Sequence, residues 1–160
     1  MKEEILKLLE KNSHLTPADI AAMIGAGEEE VAEAINEMEK QKIICGYRTV
    51  INWEKTSDEK VTAQIGVKIS PVRGEGFDRI AERLSRFEEV DSVYLMSGAF
   101  DFTVFITGKT MREVALFVAE KLSPLDSVVS TATHFVLKKY KDHGTVLAER
   151  TQDERQLITL

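Results

Sequence analysis

The sequence predicts an α+β protein in which a winged helix-turn-helix head precedes a βαββαβ domain. Three observations lead to this fold class. Apolar residues recur at helical spacing in three short segments before residue 42, and they alternate with polar residues over 61–69. Helical and strand-like segments then follow one another in the order βαββαβ up to residue 138. The predicted boundaries are 1–52 for the head, 53–60 for a linker, 61–140 for the βαββαβ domain and 141–160 for a C-terminal tail.

The head is predicted to begin with two short helices. The first covers the amphipathic segment 2–11. Thr16 can cap the second, because its hydroxyl can accept a hydrogen bond from a free N–H of the first turn. Pro17 suits the first helical position, where no backbone donor is needed, and Asp19 completes a predicted capping box.

A third helix is predicted from residue 28 to about residue 41, after a glycine-containing turn over 25–27. Its apolar stripe has the spacing i, i+3, i+4 and i+7 and consists of Val31, Ala34, Ile35 and Met38. The run 43–51 is apolar and β-branched, which predicts a strand or wing. Cys45 lies in that run and is expected to be a small buried hydrophobe.

The second domain is predicted from its alternating segments. The expected strands are 61–69, 90–96, 102–107 and 127–138, with helices over 77–87 and 110–122, a loop at 71–76 and a turn at 97–101. Thr110 can cap the second of these helices, and Glu113 completes a predicted capping box. The order is typical of a ferredoxin-like (ACT-like) fold, with a four-stranded antiparallel sheet and both helices on one face.

The predicted strands carry apolar residues on both faces of the sheet. Val93 and Leu95 alternate with Tyr94 and Met96 in the second strand, and the third and fourth strands follow the same pattern. A sheet covered by helices on one face leaves the other in water, so an apolar second face needs a cover. We expect a second copy of the domain to supply it, which predicts a homodimer.

Composition restricts the class of protein. The net charge of −6 and the pI near 5.2 do not favour a nucleic-acid binder, although basic patches are local. No apolar run approaches the roughly 18 residues of a membrane span. The N-terminus lacks a signal-peptide pattern, and a single cysteine cannot form an internal disulfide. We therefore expect a cytoplasmic protein with no membrane partner.

The ordered set of features resembles the leucine-responsive and asparagine regulator (Lrp/AsnC) family. The most specific local match is the run VYLMSGAFDF at 93–102, which is similar to that family's strand–turn–strand with a Gly followed three residues later by an Asp. The resemblance covers about residues 2–140. It implies a transcriptional regulator that binds double-stranded DNA, dimerises, and binds an amino acid or related metabolite between its sensor domains. Assembly beyond the dimer, for example into an octamer, is left open.

Candidate DNA-binding residues follow from the helix-turn-helix. Asn36 is the best base reader, because an amide can pair bidentately with adenine. Lys40, Lys42 and Arg48 would hold phosphates, together with the N-terminal amides of the second helix near Thr16.

The third helix also supports an alternative. Between residues 27 and 42 there are six acids and only two bases. Gly27 and Ala34 stand where the family commonly has a Ser or Thr and a basic residue. Charge runs on helices are usually solvated surface. The alternative function is therefore a metabolite-binding oligomer whose acidic head contacts a protein partner rather than DNA.

The turn 97–101 is the candidate effector site. Its glycine would let backbone N–H groups approach a ligand carboxylate, while the Asp balances an ammonium group and the Phe packs on the ligand side chain. Two threonines of the last strand would add hydroxyl groups. The candidate residues are Ser97, Gly98, Phe100, Asp101, Thr131 and Thr133. The same spacing is also compatible with a simple hairpin loop.

Catalytic and cofactor motifs are not found in the sequence. The three histidines are scattered without metal-ligand spacing, and no Ser-His-Asp, Cys-His or phosphate-cradling arrangement is present. The sequence therefore predicts neither an enzyme nor a bound metal or cofactor, apart from an amino-acid effector.

Overall fold

The computed structural model describes residues 1–70 and 76–148. The chain forms two compact units, the first covering Met1–Val50 and the second beginning at Ile51. The order of elements confirms the predicted fold class, with a helical head followed by βαββαβ.

The head is a bundle of three helices: α1 (Lys2–Lys11), α2 (Pro17–Ile24) and α3 (Glu28–Lys40). One buried stripe from each helix meets in a common core. Packing of these apolar stripes stabilises the helices, because isolated helices of this length are marginal in water. The core residues are Ile5, Leu9, Ile20, Ala21, Val31, Ala34 and Met38.

The second helix begins with the predicted capping box. The Thr16 hydroxyl accepts from the Asp19 N–H at 3.2 Å, and the Asp19 carboxylate accepts from the Thr16 N–H at 2.9 Å. The helix ends at Gly25, whose φ of 71° lies in the left-handed region that glycine adopts without steric cost.

The prediction of a strand at 43–51 was wrong, because no strand occurs in the described head. The N–H groups of Ile43 and Ile44 both bond to the Met38 carbonyl, so the chain folds back over the end of α3. Beyond Ile44 it is exposed and finds no strand edge to pair with. The prediction of a buried Cys45 was wrong for the same reason, since its exposed thiol donates only to the Lys42 carbonyl at 3.0 Å.

The second unit contains one antiparallel sheet with the strand order β2-β3-β1-β4. Its strands are β1 (Val61–Ile69), β2 (Val90–Leu95), β3 (Phe102–Gly108) and β4 (Val128–Phe135). Its helices are α4 (Phe77–Ser85) and α5 (Met111–Phe117), and the last turn of α5 widens into a π-helical turn over Val118–Leu122. The observed β4 is shorter than the predicted 127–138.

The core of this unit lies between the helices and one face of the sheet. Ile65 and Val67 of β1 are fully buried, as are Leu84 of α4 and Leu122 at the end of α5. Because side chains alternate along a strand, the residues of β1 between them lie on the other face. We call the first the helix-covered face and the second the open face.

The predicted capping box of α5 forms only in part. The Thr110 hydroxyl accepts from the Glu113 N–H at 3.1 Å, as expected. The Glu113 carboxylate instead accepts from the N–H of Lys109, one residue earlier. Sequence spacing does not decide which of the two neighbouring N–H groups the carboxylate accepts from.

The segments on either side of the sheet have some structure of their own. A short 3₁₀ turn covers Trp53–Lys55, and the Lys60 ammonium lies 4.8 Å from the centre of the Trp53 ring. Part of the predicted tail forms a hairpin of β5 (Lys141–Asp142) and β6 (Thr145–Val146). The predicted loop lies outside the described residues except for Gly76, and so does the tail beyond residue 148.

Replacing Thr16 by Ala is expected to lower the free energy of unfolding by about 1 kcal/mol, because the Asp19 N–H loses its acceptor. Urea denaturation followed by far-UV circular dichroism measures the change. Ser13→Ala is the matched control, since Ser13 is exposed and makes no hydrogen bond with the described part of the chain. Equal losses in the two variants would contradict the cap assignment.

Candidate functional site

The open face of the sheet carries aromatic side chains with no cover within the described chain. Tyr94 of β2 and Phe105 of β3 meet edge to face, with ring centres 6.2 Å apart. Tyr94 remains 53% exposed. An aromatic cluster left in water on one face of a sheet is typical of an interaction surface.

The turn between β2 and β3 rises at one end of this face. Its base is closed by two backbone bonds, from the Met96 N–H to the Asp101 carbonyl at 2.8 Å and from the Asp101 N–H to the Val67 carbonyl at 3.0 Å. The four residues between, 97–100, donate no backbone hydrogen bond to any group that the structure describes. Gly98 has a φ of 152°, which an L side chain rarely adopts. The turn thus presents four free N–H groups from a fixed base.

Phe100 fixes the turn to the open face by packing on Gly66 of β1. A Cβ atom built on Gly66 would lie 2.6 Å from Cδ2 of the Phe100 ring, closer than atoms can approach. Glycine is therefore needed at this position for the ring to lie against the strand backbone. Gly66 was not predicted as a site residue, although a lone glycine in an alternating strand is the signal for such a close approach.

Asp101 is held at the base of the turn by β1. Its Oδ2 accepts from the Ile69 N–H at 2.9 Å, and its Oδ1 accepts from the Lys68 Nζ at 3.3 Å. The bond from the Ile69 N–H lowers the pKa of this carboxyl, and Lys68 lowers it further against the opposing effect of desolvation. Asp101 is thus an ionised group in a fixed orientation, as a counter-ion for an ammonium group requires. Lys68 was not predicted.

The two predicted threonines lie on the other side of the sheet. Thr131 pairs with Val67 and Thr133 with Ile65, and both partners are core residues of the helix-covered face. Paired residues on neighbouring strands point to the same face. The structure therefore does not bring Thr131 and Thr133 together with Phe100 and Asp101 within one chain.

The predicted DNA-binding residues are placed on the outside of the head. Asn36 and Lys40 share the exposed face of α3 at i, i+4 spacing, and Lys42 and Arg48 follow in the exposed segment after the helix. Thr16 lies at the N-terminus of α2, where its hydroxyl is already engaged in the cap.

Two of the acids near these residues are engaged within the head. The Glu37 carboxylate accepts from the Lys2 ammonium at 2.6 Å and from the Gln41 amide at 2.9 Å, and the bond from Lys2 lowers its pKa. The Tyr47 hydroxyl donates to Glu39 at 2.8 Å. Desolvation raises the pKa of Tyr47, and Glu39 raises it further. Ten acids against six bases still give residues 1–50 a net charge of −4.

Comparisons with known proteins support this architecture. Residues 62–146 match the family model described as the Lrp/AsnC ligand binding domain. An uncharacterized HTH-type transcriptional regulator of Bacillus subtilis, YugG, is 50% identical over 157 residues, which is 98% of this chain and 95% of that protein. The leucine-responsive regulatory protein of Haemophilus influenzae is 27% identical, covering 86% of this chain and 82% of its own length. A transcriptional regulator of Neisseria meningitidis, solved with L-Met, shares the fold with a TM-score of 0.68 at 22% identity over 88% of this chain and 91% of that one.

The chain belongs to the Lrp/AsnC family. It is a transcriptional regulator with a DNA-binding helix-turn-helix and a ligand-binding domain, and not an enzyme. This confirms the family resemblance and the function class predicted from the sequence. None of the helices described for this Lrp/AsnC regulator is both long and apolar enough to cross a membrane.

Gly66→Ala is expected to destabilise this regulator by about 1–3 kcal/mol, because the added methyl group overlaps the Phe100 ring. Removing the ring should remove the conflict. In a Phe100→Ala background the same substitution should therefore change the free energy of unfolding by much less. A double-mutant cycle measured by urea denaturation checks the coupling. Additive effects would show that Phe100 does not lie against Gly66.

The ionised Asp101 is expected to make stability depend on pH. Its pKa is lower in the folded than in the unfolded state, so its contribution is present above the unfolded value of about 3.9 and is lost as the pH falls through the folded value. The difference in unfolding free energy between the wild type and Asp101→Asn should be largest near neutral pH and vanish in acid. Denaturation across pH 7 to 2 measures it, and a difference independent of pH would refute the assignment.

Proposed function

We propose that this Lrp/AsnC regulator binds DNA with the exposed face of α3 and the segment that follows it, and that it senses a free amino acid at the turn 97–101. The observation that carries the effector proposal is the turn itself. Four free N–H groups stand beside an oriented carboxylate, which suits a ligand with both a carboxylate and an ammonium group. The L-Met bound to the Neisseria meningitidis relative is a ligand of this class.

In the DNA proposal, Asn36 reads a base while the cations around it neutralise phosphates. Lys40, Lys42 and Arg48 are all exposed, and within the described structure none of their side chains is paired with an acid. Next to Thr16, the N–H of Ala18 in the first turn of α2 has no acceptor in the described structure and adds a further phosphate contact. Phosphate contacts by a few cations give affinity, and one amide in the major groove gives sequence preference.

We further propose that the open face of the sheet is covered by a second copy of the chain. The exposed aromatic pair Tyr94 and Phe105 supports this, because such a surface favours aggregation unless it is buried. A dimer presents two heads to DNA, and helix-turn-helix dimers contact half-sites about one helical turn apart. Octamers built from such dimers would present more heads. A DNA-binding regulator of this kind acts in the cytoplasm.

Binding to the DNA upstream of its own gene, compared with scrambled DNA at low and physiological salt, tests the DNA proposal. The wild type should prefer the upstream fragment and lose affinity as salt rises. Replacing Lys40 and Lys42 together by Ala should weaken binding to both DNAs and reduce the slope of log K against log salt by about 2. Sedimentation of the complex gives the number of copies bound.

The matched control removes two positive charges from the other unit. Lys109 and Arg112 are exposed, and no described acid pairs with their side chains. Replacing both by Ala should leave the salt slope unchanged if the contacts are made by the head. An unchanged slope in the Lys40/Lys42 variant would overturn the assignment. Absence of binding at low salt would instead favour a protein partner for the acidic head.

A further inference from the structure

A lysine next to the proposed effector turn has no assigned role. Lys68 lies on β1 two residues after Gly66, so both are on the open face with the turn. Its Nζ donates to Oδ1 of Asp101 at 3.3 Å, and its side chain is 44% exposed. Lysine has three donor protons, so the bond to Asp101 leaves two of them available.

The pair of Lys68 and Asp101 can open without loss of the turn. The bond to Ile69 keeps the Asp101 carboxylate in place when Lys68 moves, because it uses the other oxygen. The bond from Lys68 is long and partly exposed, and ion pairs of that kind contribute little to stability. The flexible four-carbon stem of lysine allows its ammonium group to reach a ligand beside the turn.

We propose that Lys68 binds the carboxylate of the amino-acid effector while Asp101 binds its ammonium group, so that the effector inserts between the two charges. This rests on the proposed effector site. The free N–H groups of 97–100 share the carboxylate with Lys68. In the unliganded protein Lys68 and Asp101 neutralise each other. In the complex the effector carboxylate neutralises Lys68 and the effector ammonium group neutralises Asp101.

This arrangement makes the site selective for zwitterions. A carboxylic acid without an amino group would engage Lys68 and would supply no cation to replace it beside Asp101. An amine without a carboxylate would bring a positive charge close to Lys68 with no anion to balance it. Each mismatch leaves one charge of the pair uncompensated, which lowers affinity. The effector class is therefore α-amino acids rather than their amine or acid fragments.

The test begins with thermal unfolding of the full chain in the presence of each of the twenty amino acids. The amino acid with the largest increase in Tm is then compared with its decarboxylated amine and its deaminated acid, and its Kd is measured by calorimetry. We expect neither fragment to raise the Tm. Lys68→Gln should weaken amino-acid binding by about tenfold or more, as for loss of a hydrogen bond to a charged group. Lys68→Arg, which retains the charge, should bind within a few-fold of the wild type.

The controls separate this inference from the effector proposal. Lys109→Gln, at an exposed lysine of the same unit, should bind as the wild type does. Circular dichroism and the Tm without ligand show whether Lys68→Gln is folded, and the comparison with the amine and the acid, which uses the wild type, keeps the test decisive if it is not. If no amino acid shifts the wild-type Tm, the effector proposal fails and this inference fails with it. If the shift persists undiminished in Lys68→Gln, or the amine binds as well as the amino acid, only the role of Lys68 is overturned.

Discussion

The central position of β1 in the sheet is the constraint on which the rest of the second unit depends. β1 is paired with β3 on one edge and with β4 on the other. Its side chains therefore lie either on the helix-covered face or on the open face of the sheet. Ile65 and Val67 fill the core under the helices, while Gly66 and Lys68 face the turn that rises from β3. One strand thus supplies both the stability of the domain and the support for its candidate site. A shift of register by one residue would exchange these roles and destroy both.

The sequence predicted those features that depend on local periodicity and missed those that depend on pairing. The helices and the alternation of β1 were predictable because burial imposes a period on each element by itself. The face on which Thr131 and Thr133 lie was not, because it depends on the register between β4 and β1. The strand expected around Cys45 failed similarly: β-propensity describes a residue's fit to a sheet, and this segment has no partner edge within the described head.

The acidic head shows why net charge alone is a weak guide to DNA binding. The charge of −4 counts all ten acids equally, but Glu37 and Glu39 are engaged by Lys2, Gln41 and Tyr47. These bonds fix the partners of the two carboxylates and do not remove their charge. Attraction to DNA must then come from the local arrangement of the few exposed cations, within about 10 Å at ordinary salt. A head of this kind would bind nonspecific DNA weakly, which favours discrimination between specific and nonspecific DNA over total affinity.

The proposed effector turn and the aromatic surface share the open face, which links effector binding to assembly. A ligand changes an equilibrium only by the difference between its affinities for two states. If a second copy covers Tyr94 and Phe105, it lies on the same face as Phe100 and Asp101, so effector binding and assembly act on one surface. Because linkage is reciprocal, an effector that favours one assembly must itself bind that assembly more tightly. In the proposed dimer, a signal from the turn would reach the heads through a change in how the copies associate, and the sheet would not need to deform.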